Sequence, residues 1–201
     1  RLIEYFAVFG GLDIKLDCDL EIKELLQIHI ITNLKELEHK ILRLTYGSSE
    51  YTRLLKALAV GDRRIFSAFN KAGLNNANGG SALNFLQKHN LIEIEYSREE
   101  PAKSLYPHTK LKRELARHRI SHKALFIHPF LRFWFYFVAP NMRLLKEGRS
   151  DLFFKDFTTR FSSYTSLVFE ELSEILLDYH LRDSQIISSG SYWDASVEID
   201  I

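Results

Sequence analysis

The sequence predicts a mostly α fold with small β parts. Three observations carry that expectation. Apolar residues recur at spacings of three and four along most of the 201 residues, the period of a buried helical face. Stretches with β-branched or alternating character are confined to residues 91–96 and 185–201. Phe 15, Tyr 9 and Trp 2 supply enough apolar surface for a core and exclude wholesale disorder. The length suits one large domain or two small ones.

Residues 2–9, LIEYFAVF, are too short and too apolar to assign by period, and Gly10-Gly11 breaks whatever they form. From Asp19, a plausible N-cap, a helical pattern runs through Leu20, Leu25, Ile28, Ile31, Leu34, Leu37, Ile41 and Leu44 to a stop at Gly47. Lys35, Glu36, Glu38, His39 and Lys40 are its wet face. Gly47-Ser48-Ser49 marks the first boundary, so residues 1–47 read as an N-terminal helical extension.

Residues 48–107 have the order of a winged helix. A helix over 49–60 carries Tyr51, Leu54, Leu55 and Leu58 on one face. Asp62 caps a second helix, with Ile65, Phe66 and Phe69 inward, that ends at Gly73. Residues 74–80 have little helical propensity and read as a turn. Ser81 starts a third helix with Leu83, Phe85 and Leu86, ending near Asn90. Residues 91–96 form a strand, and residues 97–104, with Pro101, a loop before a second strand. In such an arrangement the third helix enters the major groove of DNA. It would present Asn75, Asn76, Asn78, Ser81, Asn84, Gln87 and Lys88, with Arg98 and Lys103 in the wing and Arg63, Arg64 and Lys71 on phosphates.

Charge supports a phosphate-bearing partner for this middle part. The whole chain has a formal net charge of +1, but residues 51–125 hold 14 Lys+Arg against 6 Asp+Glu, between two acidic flanks. Residues 108–125 read as a basic connector. His118 and His122 are four apart there, with no further ligand nearby and no Glu after the first His, which is not the zinc-protease pattern.

Residues 126–201 form the last part. Residues 126–138 pack seven aromatic side chains around His128, Pro129 and Arg132, and read as a buried helix from Pro129 to just before Pro140, not as a base-stacking platform. A short continuation over 141–148, an amphipathic segment over 151–161 and a longer helix over 163–181 follow. Residues 185–189 and 197–201 suggest two adjacent strands. Cys18, the single cysteine, cannot form an internal disulfide and fits a reducing, cytoplasmic compartment. No run of eighteen apolar residues suggests a membrane span, and no signal peptide is visible in a chain that starts at Arg1.

GxxxxGK[ST], GxGxxG, GxSxG and HExxH are all absent from the sequence, so there is no P-loop. One pattern carries chemistry. Glu170, Glu171 and Glu174 lie on the long helix, and Glu198 and Asp200 alternate on the last strand, so both face one side. Acids so placed suit Mg²⁺, which takes oxygen ligands and can activate water for phosphodiester hydrolysis. Spacing alone favours a solvated strand edge over a metal site.

FIHPFLRFWFYFVAPN at 126–141, VFEELSEILL at 168–177 and GSYWDASVEIDI at 190–201 resemble the C-terminal region of the archaeal-type ATPase family, a likeness that spans residues 51–201. The resemblance implies a winged helix followed by a domain similar to PD-(D/E)XK nucleases. It matches Glu170 to the helix acid and Asp200 to the first strand acid, both metal ligands, with Glu198 in the same signature. His128 stands where the family often has Asp. The family's ATPase domain has no counterpart in residues 1–46, and the strand carrying its Glu-x-Lys half has none before Ile201. The expected function is DNA binding, with Mg²⁺-dependent nuclease activity when the motif is complete. The alternative is a non-catalytic regulator or adaptor that binds a protein partner, such as a separate ATPase.

Overall fold

Helical periodicity condenses into a mostly helical structure with two small antiparallel strand pairs. The computed structural model describes residues 1–101, 110, 113, 119–183, 191–194 and 197–199. Buried side chains from Tyr5 to Val168 form one apolar cluster that draws on the N-terminal segment, the middle helices and the C-terminal helices alike.

Residues Leu2–Phe9 form helix α1, which buries Tyr5, Ala7, Val8 and Phe9. Its end is tied to the aromatic segment: the Phe130 N–H donates to the Gly10 carbonyl at 2.9 Å. Gly11 then turns the chain at φ +91, where a Cβ would lie 2.7 Å from the His128 ring. Both conformation and space demand glycine there.

The single helix expected from Asp19 to Gly47 is two. Asp19 sits in a local turn, its N–H donating to Asp17 Oδ1 at 3.0 Å. Helix α2, Ile22–Leu26, is instead capped by Glu21 and Glu24 and runs into a π-helical turn over Gln27–Ile31. Thr32 Oγ1 donates to the Gln27 carbonyl and the Asn33 amide to those of Ile28 and His29. Such side chains compete with the backbone for its own acceptors and end the helix. Helix α3, Leu34–Leu44, follows and stops at Gly47 as expected, with φ +66.

Helices α4 (Ser49–Val60) and α5 (Ile65–Ala72) lie where the periodicity placed them, with Gly73 in the left-handed conformation ending α5. Helix α6 spans Asn76–Lys88, so the expected turn over 74–80 is largely helix. Asn75 supplies the cap. Gly79 lies against the Phe69 ring, where a Cβ would meet ring carbons at 2.6 Å. Low propensity is thus overridden by a close α5–α6 approach that only glycine permits.

Strand β1, Ile92–Glu95, pairs antiparallel with β2, Lys123–Phe126, in register Ile92↔Phe126 and Glu95↔Lys123. The strand expected directly after the 97–104 loop falls largely outside the described residues, and β2 comes from the stretch read as connector. Arg64, between α4 and α5, bridges antiparallel to Lys123 as a third, very short strand.

Helix α7, Pro129–Phe133, starts on proline and continues as a π-helical turn, Trp134–Val138. It is buried, as expected, and packs against α1, α4 and β2. A short helix α8, Met142–Lys146, leads to α9, Ser150–Leu181, which joins the two segments expected at 151–161 and 163–181 into one 32-residue helix. Phe153, Phe157, Phe161, Tyr164 and Val168 line its buried stripe at spacings of four and three. The Tyr164 hydroxyl donates to the Ala7 carbonyl at 3.1 Å and fastens α9 to α1. Two short strands, β3 (Tyr192–Trp193) and β4 (Glu198–Ile199), pair antiparallel. Residues 185–189, expected as a strand, lie outside the described residues. Among the described residues no helix is long and apolar enough to cross a membrane.

Candidate functional site

Two surfaces gather the residues that the sequence singles out. The first is the outer face of α6. Asn75 Oδ1 accepts the Asn78 N–H at 2.8 Å and fixes where the helix begins. From there the helical period sets Ala77, Ser81, Asn84 and Lys88 in one exposed stripe, while Ala82, Leu83 and Leu86 face the core. Asn76 and Gln87 are exposed beside it. The Asn78 amide donates to Glu50 on α4 at 3.4 Å, so this side chain braces the helix start. Helix α6 contains no acidic residue.

Exposed cations lie on the elements that precede and follow this helix in the chain. Lys71 is exposed on the last turn of α5. Arg53, exposed on α4, brings Nη1 to 3.5 Å from the position a Gly73 side chain would take, at the turn that leads into α6. Arg53 was missed from sequence, although its helical spacing from the buried Leu54 and Leu58 marks it as outward. Arg98 is exposed beyond β1; Lys103 lies outside the described residues.

The second surface lies where the β1–β2 sheet meets α9 and the β3–β4 pair. Arg63 has φ +63, an uncommon conformation for a residue with a side chain. Backbone bonds hold its segment in place: the Ala124 N–H donates to the Arg63 carbonyl at 2.9 Å and the Ile65 N–H to that of His122 at 3.0 Å. Arg63 and Arg64, expected to face phosphates, point at acids of the same chain. Arg63 Nη1 lies 3.2 Å from Glu171, and Arg64 Nη2 3.3 Å from Glu198. Glu198 also accepts from Lys123 Nζ at 2.5 Å.

Lys123 is wholly buried. An ammonium taken out of water needs a counter-charge, and Glu198 supplies it. Trp193 covers it, with Nζ 4.3 Å from the ring centroid. Trp193 is pinned in turn: its Nε1–H donates to the Ser121 carbonyl at 2.7 Å, and Ser97 Oγ donates to its carbonyl at 3.0 Å. Nothing in the sequence around Lys123 signals this burial, because the covering groups come some 70 residues later. His122 Nδ1 accepts the Ser97 N–H at 3.2 Å; its expected companion His118 lies outside the described residues.

A small cleft beside this surface is lined by Arg63, Glu95, Glu170, Glu171, Glu174 and Ser191. Burial raises the carboxyls of Glu171 and Glu95 above their ordinary value. Arg63 and Arg132 oppose this for Glu171, and Lys123 and Arg63 for Glu95. The Lys123 hydrogen bond holds Glu198 below its ordinary value. Glu170 therefore faces the cleft, whereas Glu198 is committed to two cations. Asp200 lies outside the described residues. Among the described residues no group of three or more His, Cys, Asp and Glu could hold a metal ion. The described acids alone do not fit a Mg²⁺ site.

The match to known sequences falls on this C-terminal part. Residues 134–201 match a family described as archaeal and bacterial proteins of unknown function. That stretch runs from the π-helical turn of α7 through α9 to β4 and takes in Glu170, Glu171, Trp193 and Glu198. It agrees with the resemblance at the level of a family of unknown function. No curated protein and no solved structure matches the chain.

Proposed function

We propose that this chain is a DNA-binding module of winged-helix type, with α6 as its recognition helix. The acid-free, exposed face of α6 carries the proposal. Helices α4, α5 and α6, followed by the β1–β2 pair with Arg64 as a third short strand, have the order of that motif. Ser81 and Asn84 would face base edges, while Lys88, Lys71 and Arg53 would hold phosphates, which position without reading sequence. Fluorescence anisotropy on a duplex of random sequence tests this. The wild-type chain is expected to bind with a negative slope of log affinity against log salt. Lys88→Glu combined with Asn84→Asp is expected to weaken binding about tenfold and flatten the slope by about 1. Absence of binding at low salt, or a variant that binds like wild type, refutes it.

A second reading makes the chain a protein-interaction module. It is favoured by Ile175, Leu176, Leu177 and Tyr179, exposed on the last turns of α9, because large exposed apolar side chains in a cluster mark interaction surfaces. Nuclease activity belongs to the proposal only as an addition. It would draw on Glu170 in the cleft and on Asp200 and Glu198 in the "EID" signature.

A further inference from the structure

We propose that the β3–β4 pair is an internal clasp that occupies cations of the sheet following the proposed recognition helix, so that the chain holds itself in a weakly binding state. This inference rests on the DNA-binding proposal above. Its basis is a substitution of one anion for another. Glu198 places a carboxylate against Arg64 and Lys123, and Glu171 places one against Arg63. A phosphate would make the same charge-assisted hydrogen bonds to these donors. The three cations belong to the β1–β2 sheet and its third strand, the sheet that follows α6 directly. The acids belong to α9 and β4, the last described elements of the chain.

The clasp has the fastenings of a built contact. Trp193 on β3 is 1% exposed although its two-residue strand pairs only with β4. Its indole N–H, its carbonyl and its ring face each meet a group on or beside the β1–β2 sheet: the Ser121 carbonyl, the Ser97 hydroxyl and the Lys123 ammonium. The Val197 N–H donates to Asp194 Oδ1 and the Asp194 N–H to the Val197 carbonyl, closing β3 onto β4 so that Trp193 and Glu198 act together. Opening the clasp would expose Lys123 and release Arg64, adding two free cations to the sheet that follows α6. It would also leave Lys123 without its counter-charge. A polyanion that supplied that charge would therefore be favoured by the open form, which is how a ligand shifts a two-state equilibrium.

The test uses the whole chain and a fluorescent duplex of about 20 base pairs, titrated at several salt concentrations. Glu198→Gln keeps the shape of the side chain and removes its charge. The expected result is DNA binding about tenfold tighter than wild type at low salt, with a salt slope steeper by about 2, one step for each freed cation. Arg64→Gln in the same background is expected to remove much of the gain. Glu147→Gln, the same change of charge at the exposed C-cap of α8, is expected to leave affinity at the wild-type level. Acrylamide quenching of the two tryptophans, Trp134 and Trp193, supplies an independent readout and should rise when wild type binds DNA. Equal affinity of wild type and Glu198→Gln overturns the clasp while the DNA-binding proposal stands. Equal tightening by Glu198→Gln and Glu147→Gln overturns it as well, because bulk charge then explains the gain. If neither wild type nor Glu198→Gln binds at low salt, the DNA-binding proposal falls and the clasp with it.

Discussion

One side chain decides where α6 begins. The first N–H groups of a helix have no partner within it, and Asn75 Oδ1 satisfies that of Asn78. The cap matters more here than in a helix of strong formers, because the first turn reads NANGG and contributes little of its own. Asn75→Ala is therefore expected to lower the unfolding free energy by about 1 kcal/mol in urea titration, and Asn75→Asp to retain most of it. An alanine variant as stable as wild type would show that packing against Phe69, not the cap, sets the helix start. The same residues explain why this start was illegible in the sequence. Asn-Asn-Ala-Asn-Gly-Gly carries the composition of a turn, and the ring of Phe69, against which Gly79 must lie, is a helix-favouring contact that the local sequence does not show. Lys123 is the opposite case at the same scale. A lysine in a run of basic residues reads as solvated, and the groups that bury it, Trp193 and Glu198, follow only after some 70 residues.

Elements whose ends are marked locally were legible. Ser48 caps α4, Gly73 ends α5 and Pro129 opens α7, and each boundary was set by a residue whose backbone preference acts on its own. The two π-helical turns were not, since a spacing of threes and fours is equally good for an unbroken helix. The sequence pattern divides helix α9 into two segments for a related reason. Ser162 and Ser163 at its middle weaken the pattern, and the continuous stripe from Phe153 to Val168 against α1 and α7 overrides them. The first half of that helix also carries a titratable brace. Arg160 donates to Asp156 one turn earlier, through Nε at 2.7 Å and through Nη2, and the Asn141 amide donates to the same carboxylate at 2.9 Å. These bonds hold the Asp156 carboxyl below its ordinary value of 3.8. A depressed acid contributes stability above its unfolded value and loses it as pH falls through the folded one. Denaturation midpoints measured from pH 5 downward should thus fall more steeply below about 3.8 for wild type than for Asp156→Asn, by about 0.5 kcal/mol because the pair is one-third exposed. Parallel curves would mean that the brace is solvated and contributes nothing.

Across the whole molecule the apolar cluster ignores the punctuation of the sequence. Gly47-Ser48-Ser49 and the basic stretch before Lys123 look like seams, yet Phe9 of α1, Leu86 of α6 and Phe157 of α9 belong to one set of buried side chains. Helix α7 makes this possible. Its aromatic run presents Phe130, Phe133, Trp134 and Phe137 to different neighbours, touching α1 on one side, α4 on another and α9 on a third. Removing a large side chain at any of these neighbours opens a cavity against the same helix, and such cavities cost about 3–5 kcal/mol for Phe→Ala and about 2–5 for Leu→Ala. A chain of this length often unfolds in steps when its parts are independent. Here the shared wall couples them. Phe9→Ala on α1 and Leu86→Ala on α6 are expected to move one common unfolding transition, seen alike by far-UV circular dichroism and by tryptophan fluorescence. If each variant shifted a different transition, or if the two probes separated in wild type, the N-terminal segment and the α4–α6 unit would be folding units of their own.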